Sequence, residues 1–468
     1  MNVASIVSWL ERHRIEAGIF LLAFALRFAL LGVNMHFTSA GIEGVVYRHD
    51  GYYEIARNLL DGNGFSRALR PPFIPDPLRT PLYPLFVAAI LGLFQSFWAM
   101  ALIQILVGSV IPILGMRISQ RIVPAKIMAG LVGILLVVEP LSVLYSFVFY
   151  TETHFILLFF LFLLVFLDYL EKGGTWRIAG SSLLLGLATL TKPTVQYLPV
   201  FAVALLLWRG WKDRSRRLWA HVFILLVVYL VCISPWLYRN YRTFGAVGLS
   251  AQPAFNLYRY LVPTVLAIEN GTTFRLEQEA LSKRHATSED DIDLASSGGF
   301  IVRSLHILGN HPASLAKATG MSLVTFFTHD GLLAVLKHAG QEVTLRLPGG
   351  TVVAAFRSPG QVARSMRGAL RSPAILIVIG RLVWIIIAVM FFVGAFRYLK
   401  AEGLTAPGLW ALFLVTYFAL TTVINGFGVY ARFRMPVNVF IFTFVLYAVR
   451  DLGRRHQPSY GLPESRPG

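Results

Sequence analysis

Residues 47–86 read YRHDGYYEIARNLLDGNGFSRALRPPFIPDPLRTPLYPLF, a polar stretch directly behind the first long hydrophobic run. Its surroundings decide the fold. The chain has 468 residues, 56% of them hydrophobic and only 14% charged, with a mean hydropathy of +0.63, too apolar for a soluble domain. Its apolar runs are long, repeated and bounded by charge, as membrane-spanning helices require. The first run follows ERHRIEAG and lacks a small-residue cleavage site, so it reads as a permanent first helix. The single cysteine, Cys232, lies in an apolar run and excludes an intrachain disulfide and a cysteine metal cluster. A formal charge of +18 fits basic loops and anionic headgroup or phosphate ligands in such a chain; nucleic acid is not an expected partner.

Apolar runs predict spans at 15–33, 98–116, 127–146, 153–170, 178–191, 195–208, 218–235, 373–396, 407–424 and 433–449. The two from 178 to 208 are short and form a candidate helical hairpin. A further run, TPLYPLFVAAILGLFQSF, opens with two prolines and is either a crossing or an interfacial helix. Only if it does not cross do Arg117, Arg121, Lys126, Lys172, Arg177, the cluster RGWKDRSRR, Arg397, Lys400 and the tail RDLGRRHQ share one side. Residues 80–96 are therefore read as a re-entrant or juxtamembrane helix, and both termini as cytoplasmic. The loop 34–79, with five acids and five arginines, then lies outside. So do the turn before Glu152, the kink at Lys192 and Pro193, the stretch after Trp236, and NGFGVYARFRMP from Asn425.

This gives an all-α polytopic membrane bundle of about ten spanning helices, with twelve as the alternative. Its parts are 1–235 with the first outer loop, an extracytoplasmic region 236–372 with interfacial helices, and 373–468 with the last spans and a cytoplasmic tail. Within 236–372, ATSEDDIDLASSGG is polar and loop-like. The run MSLVTFFTHDGLLAVL is broken by His329 and Asp330, which suits an interfacial helix and an exposed break. Two inverted repeats are not evident, which weighs against a secondary transporter.

DGYYEIARNLL predicts a short amphipathic helix with Tyr53, Ala56, Leu59 and Leu60 on one face, ended by Gly62 and Gly64. Asp50 stands where an N-cap would, a role without chemistry. Arg79, ahead of two prolines, would serve equally as an interfacial anchor. Taken in order, Asp50, Tyr53, Ala56, Leu59, Gly62 and Gly64, then RTPLYP, EPLSVLYSFVFYTETHF, GLATLTKPT, PWLYRNYRTFG and YARFRMP resemble the GT-C class of membrane glycosyltransferases. The resemblance is to the branch of protein O-mannosyltransferases and aminoarabinose (lipid A) transferases. It covers residues 15–250 and 425–449 and is poor between.

That resemblance implies an inverting transfer of a sugar from a polyprenyl-phosphate donor to a cell-envelope lipid, glycan or protein outside the cytoplasmic membrane. An acceptor hydroxyl needs a carboxylate to take its proton. By family position Asp50 is the general base and Glu152 a second acid that orients base or acceptor. The leaving lipid phosphate needs cations. Lys192, a lone lysine between apolar helices, is costly without an anionic partner; Arg79, Arg239, Arg432 and Arg434 complete the candidate clamp, with Arg432 and Arg434 not separable by position. Tyr53, Glu54 and Tyr83 are assigned to the substrate cavity, Glu54 also to a pair with a nearby arginine. Arg27, inside the first span, either pairs with an acid or snorkels.

Gly51 stands where protein mannosyltransferases have a Glu, which argues against a protein acceptor and removes a possible metal ligand. Eleven histidines are scattered without ligand spacing, and no obligatory metal or cofactor is expected. LPGGTV at 347–352 reads as a turn, lacking the lysine of a phosphate loop. The expected partners are membrane lipids, the lipid-linked sugar and an envelope acceptor. Three further readings stand beside the transferase: an oligosaccharide ligase, a flippase of a lipid-linked sugar, and a non-catalytic scaffold.

Overall fold

A computed structural model describes residues 13–38, 41–47, 50–213, 216–285, 291–341, 373–426 and 430–455, with the single residues 343 and 360. The turn expected at 347–352, part of ATSEDDIDLASSGG and part of the basic cluster after Arg209 lie outside the described residues. The elements of the described chain are all helices, and among the described residues the one bridge between extended segments joins Ser66 to Pro75.

Helices stand at all ten predicted span positions. Seven are long and apolar enough to cross a bilayer: Arg14–Thr38, Phe97–Ile122, Glu152–Lys172, Leu218–Phe244, Ile375–Glu402, Pro407–Asn425 and Ala431–Leu452. The run 127–146 is not one helix. It stops at Val138, turns at an extended Glu139 and resumes as Pro140–Leu144. Proline explains the break: Pro140 cannot donate to the preceding turn but suits a first helical position, and Glu139 caps the new turn by accepting from the Ser142 amide at 2.6 Å. Nor do the two short helices near 178–208 form a hairpin. Thr175–Thr191 is packed between Glu152–Lys172 and Arg216–Phe244 instead.

Residues 80–96 fold as Leu82–Phe94. Thirteen residues rise only about 20 Å, less than the hydrocarbon thickness of a bilayer. The helix ends where Gln95 takes a left-handed φ of 49°. On Glu152–Lys172 the phenylalanines 155, 159, 162 and 166 recur at helical spacing and stack along one stripe. Phe418 and Trp410 of the Ala406–Thr422 helix pack on that stripe. Elsewhere Gly394 lets the Ile375–Glu402 helix press onto the last span; a Cβ there would sit 1.9 Å from the Phe444 carbonyl oxygen.

Region 236–372 differs more from expectation. The helix expected to end at 235 runs on to Phe244 despite Pro235. It is followed by short helices with their own apolar core, in which Phe255, Tyr258, Val262 and Phe300 meet Leu78 and Val423. The break at His329 and Asp330 is where the sequence puts it, but it is not exposed. Asp330 is buried and pairs with Arg381 at 2.5 Å. The flanking helices Pro312–Thr328 and Leu332–His338 meet at 68°, and together have the length and apolarity of a broken span or a re-entrant loop.

Chain direction alternates through the bundle, so the end of the first span, the start of Glu152–Lys172, the end of Thr175–Thr191 and the start of the last span come to one end. Ion pairs of Arg121 with Asp168 and of Arg397 with Asp451 mark the other.

Candidate active site

The site forms at the first of these ends. Asp50 precedes the helix Tyr52–Leu60, whose N-cap is Gly51 with no side-chain cap bond. Asp50 is therefore not the cap that the sequence allowed. Gly51 has φ 85°, in the left-handed region, and a Cβ there would run into the Arg67 side chain. The buried residues of this helix are Tyr52, Glu54, Ile55, Ala56 and Asn58, with Tyr52, Ile55 and Ala56 the apolar ones. The apolar face is rotated by one residue from the predicted face, and so Tyr52 rather than Tyr53 reaches the site.

Arg79 is positioned by its own loop. Asp76 accepts the Leu78 and Arg79 amides at 2.9 and 2.6 Å and pairs with Arg67. The Arg79 guanidinium donates to the Asp50 carbonyl at 2.9 Å and to Gln252 at 2.7 Å, and lies 5.1 Å from the Tyr52 ring centre. Thr80 donates to the Thr191 carbonyl at 3.0 Å, tying RTPLYP to TKPT. Lys192, which directly follows Thr191 at the end of the helix Thr175–Thr191, is extended, with φ −149° and ψ 111°.

Glu152 begins its helix with a side chain only 1% exposed. It accepts from Lys192 Nζ at 2.7 Å and from Arg432 Nε at 2.5 Å. Arg432 Nη2 reaches Asp50 Oδ2 at 3.4 Å, and its guanidinium lies over Tyr150 at 4.4 Å. Three cations thus face two carboxylates, leaving one positive charge in excess. Burial pulls the Lys192 ammonium below its ordinary 10.5, with Glu152 pulling it back.

Asp50, Arg79, Lys192 and Arg432 line a cavity of about 390 Å³, with Tyr52, Gln252, Asn256, Tyr260 and Asn425 among its other walls. Glu152 stands behind the wall as counter-anion to two of its cations. Gln252 and Asn256 were not legible as site residues, although their four-residue spacing on one helical stretch is a signal; Asn425 lies at the head of a fragment already singled out.

Five assigned residues are elsewhere. Arg239 is stacked among Phe65, Trp236 and Phe244 at 4.7–5.3 Å and donates to Asn240; the aromatics of its own segment hold it. Arg434 is fully buried, donating to the Phe326 and His329 carbonyls at 2.6 Å each, over the Trp384 ring at 3.4 Å. Glu54 accepts from the Tyr47 hydroxyl at 2.5 Å rather than from an arginine, and burial with this bond pushes Tyr47 up to about 12. Tyr53 packs with Phe97 and Phe149. Tyr83 sits behind Tyr52, edge to face at 5.2 Å, and donates to Gln104. Arg27 is buried in the first span with Nη1 on the Ala23 carbonyl, so it does not snorkel. Among the described residues no three His, Cys, Asp or Glu side chains are grouped to hold a metal ion.

Residues 77–238 match the family described as dolichyl-phosphate-mannose-protein mannosyltransferase. That stretch holds Arg79, Glu152 and Lys192. Two solved structures are similar. ArnT from Cupriavidus metallidurans bound to undecaprenyl phosphate has a TM-score of 0.39 and 16% identity, over 92% of this chain and 78% of that one. The same protein in the apo state gives 0.38 and 16%, over 94% and 78%. No curated protein matches. The family match, on a chain of membrane-length helices, supports the class that the sequence resembles, a GT-C membrane glycosyltransferase using a lipid-linked donor.

Proposed function

We propose that this chain transfers a single sugar, with inversion, from a polyprenyl phosphate to a hydroxyl of an extracytoplasmic envelope acceptor. The observation that carries the reading is the uncapped Asp50 carboxylate in one cavity with Lys192, Arg79 and Arg432. As the acceptor oxygen bonds to the anomeric carbon, the bond from that carbon to the phosphate oxygen breaks. The hydroxyl proton passes to Asp50, and the electron pair leaves with the lipid phosphate, where the three cations stabilise it. Glu152 holds Lys192 and Arg432 in place, a positioning role. A cavity of about 390 Å³ suits one sugar ring and its phosphate better than an assembled glycan.

The test is release of free polyprenyl phosphate from labelled polyprenyl-phosphate sugars, with a membrane extract as acceptor source, comparing wild type with Asp50→Asn. Release that is lost in the variant supports the reading. Equal release by both removes Asp50 as base, and retention of every donor without release points to transport or scaffolding.

A further inference from the structure

The cavity has two chemically different walls. One carries Lys192, Arg432 and Arg79; the other is a relay of neutral amides. Arg79 Nη1 donates to Gln252 Oε1 at 2.7 Å, Gln252 Nε2 to Asn256 Oδ1 at 2.7 Å, Asn256 Nδ2 to Asn425 Oδ1 at 2.8 Å, and Asn425 Nδ2 to the Thr422 carbonyl at 3.0 Å.

An amide has two N–H donors and a carbonyl with two lone pairs. In this relay each amide spends one donor and one lone pair on its neighbours, which fixes its orientation and leaves one of each to offer. A sugar hydroxyl, which both donates and accepts, is the group that such an offer fits.

The relay is built rigidly. The Ala251 amide donates to the Pro77 carbonyl at 2.8 Å, and Ser250 Oγ to the Leu78 carbonyl at 2.5 Å, so Gln252 is held to the Arg79 loop. A π-helical turn, Leu257–Leu261, follows Asn256 directly, a distortion that recurs at functional sites. Gly426, at φ 55°, packs so closely that a Cβ would sit 2.6 Å from the Tyr260 carbonyl oxygen; this close approach brings Asn425 onto the same segment. Tyr260 and Tyr197 border the wall and offer apolar faces to ring C–H groups.

Charge narrows the ligand further. Among the described residues lining the cavity, Asp50 is the only carboxylate, and it already faces Arg432 at 3.4 Å. An ammonium on the sugar would meet the amide wall with no counter-anion and three cations nearby. We infer that Gln252, Asn256 and Asn425 form the sugar subsite of the donor, and that it selects a neutral, hydroxyl-bearing pyranose or furanose over an amino sugar.

The inference rests on the proposed transferase reading, and the experiment separates the two. Full-length protein is given polyprenyl phosphate bare, or carrying a neutral hexose, a neutral pentose, an aminopentose or a uronic acid; binding and release of lipid phosphate are both measured. A neutral-sugar donor is expected to turn over at least about tenfold better than the aminopentose and uronic-acid donors. Asn256→Ala should raise KM for that donor about tenfold, the loss of one or two hydrogen bonds, and leave affinity for the bare lipid phosphate within about twofold. Asn256→Asp keeps the shape and adds a counter-anion, so it should shift preference toward the aminopentose. Preference for a charged sugar in wild type, or an equal loss of bare and sugar-bearing lipid in Asn256→Ala, overturns the subsite. Binding without release from any donor overturns the transferase reading instead. The subsite then stands if the neutral-sugar lipid binds tighter than the bare lipid and Asn256→Ala erases that margin, and falls if it does not.

Discussion

Arg432 and Arg434 are two residues apart on one helical turn, yet they belong to different worlds. Arg432 reaches into the cavity and meets Glu152 and Asp50. Arg434 points the other way, buried under Trp384 and donating to two carbonyls at the broken helix near His329. Two positions on a helix are about 200° apart, so a chain that presents one arginine to a cavity sends the other into the protein. An anionic partner faces the first, and backbone carbonyls orphaned by the break at 329–331 face the second. A guanidinium supplies enough donors for either task; its surroundings decide whether it faces the cavity or fastens the fold.

The comparison can be broken by substitution. Asp50→Asn should have the largest effect, cutting turnover by about 10²–10⁴ with an unchanged thermal midpoint, since among the described residues the carboxylate's one ion pair is the 3.4 Å contact to Arg432. Lys192→Met should lower donor kcat/KM by about 10–100-fold, the scale of one charge-assisted hydrogen bond. The pH profile sharpens this second prediction. Because burial lowers the Lys192 value, the cation is lost as pH rises, and donor affinity should decline below pH 10.5. Lys192→Arg should move that alkaline limb upward; an unmoved limb would take Lys192 out of the phosphate site.

Arg434→Leu reverses the pattern. It leaves the Phe326 and His329 carbonyls without this donor, at about 1–3 kcal/mol each, so the detergent-solubilised protein should unfold at lower temperature while turnover per folded molecule stays within about threefold. A large catalytic loss with an unchanged midpoint would erase the distinction between the two arginines. Arg239→Ala should do least, changing turnover by less than about twofold, because its guanidinium lies among aromatic rings away from the cavity.

The helical architecture was legible because hydropathy and length act locally, whereas the run after Arg79 was read as non-crossing from the distribution of basic residues around it. The proline at 140 was visible, but its effect was overridden by the apolar run around it. At the site, residues with strong local signals came together: an acid in a turn, a lone lysine at a kink, an arginine before the last span. Tyr53 was preferred to Tyr52 because a nine-residue helix leaves its phase uncertain by one position. Arg434 and Arg239 could not be separated from Arg432 and Arg79 by sequence, since only tertiary packing says which face each residue occupies. The amides of Gln252 and Asn256 were missed because neutral side chains carry no expense in a polar loop and so draw no attention.

Lys192 and Arg432 share Glu152, and with Arg79 and Asp50 the site keeps a single surplus positive charge. In the proposed reaction the sugar-bearing lipid is a phosphodiester with one negative charge, which that surplus would balance. The freed lipid is a phosphomonoester carrying close to two at neutral pH. On that reading the spent carrier should grip the site harder than the fresh one, and its escape into the bilayer, rather than the bond exchange, is expected to pace the proposed cycle.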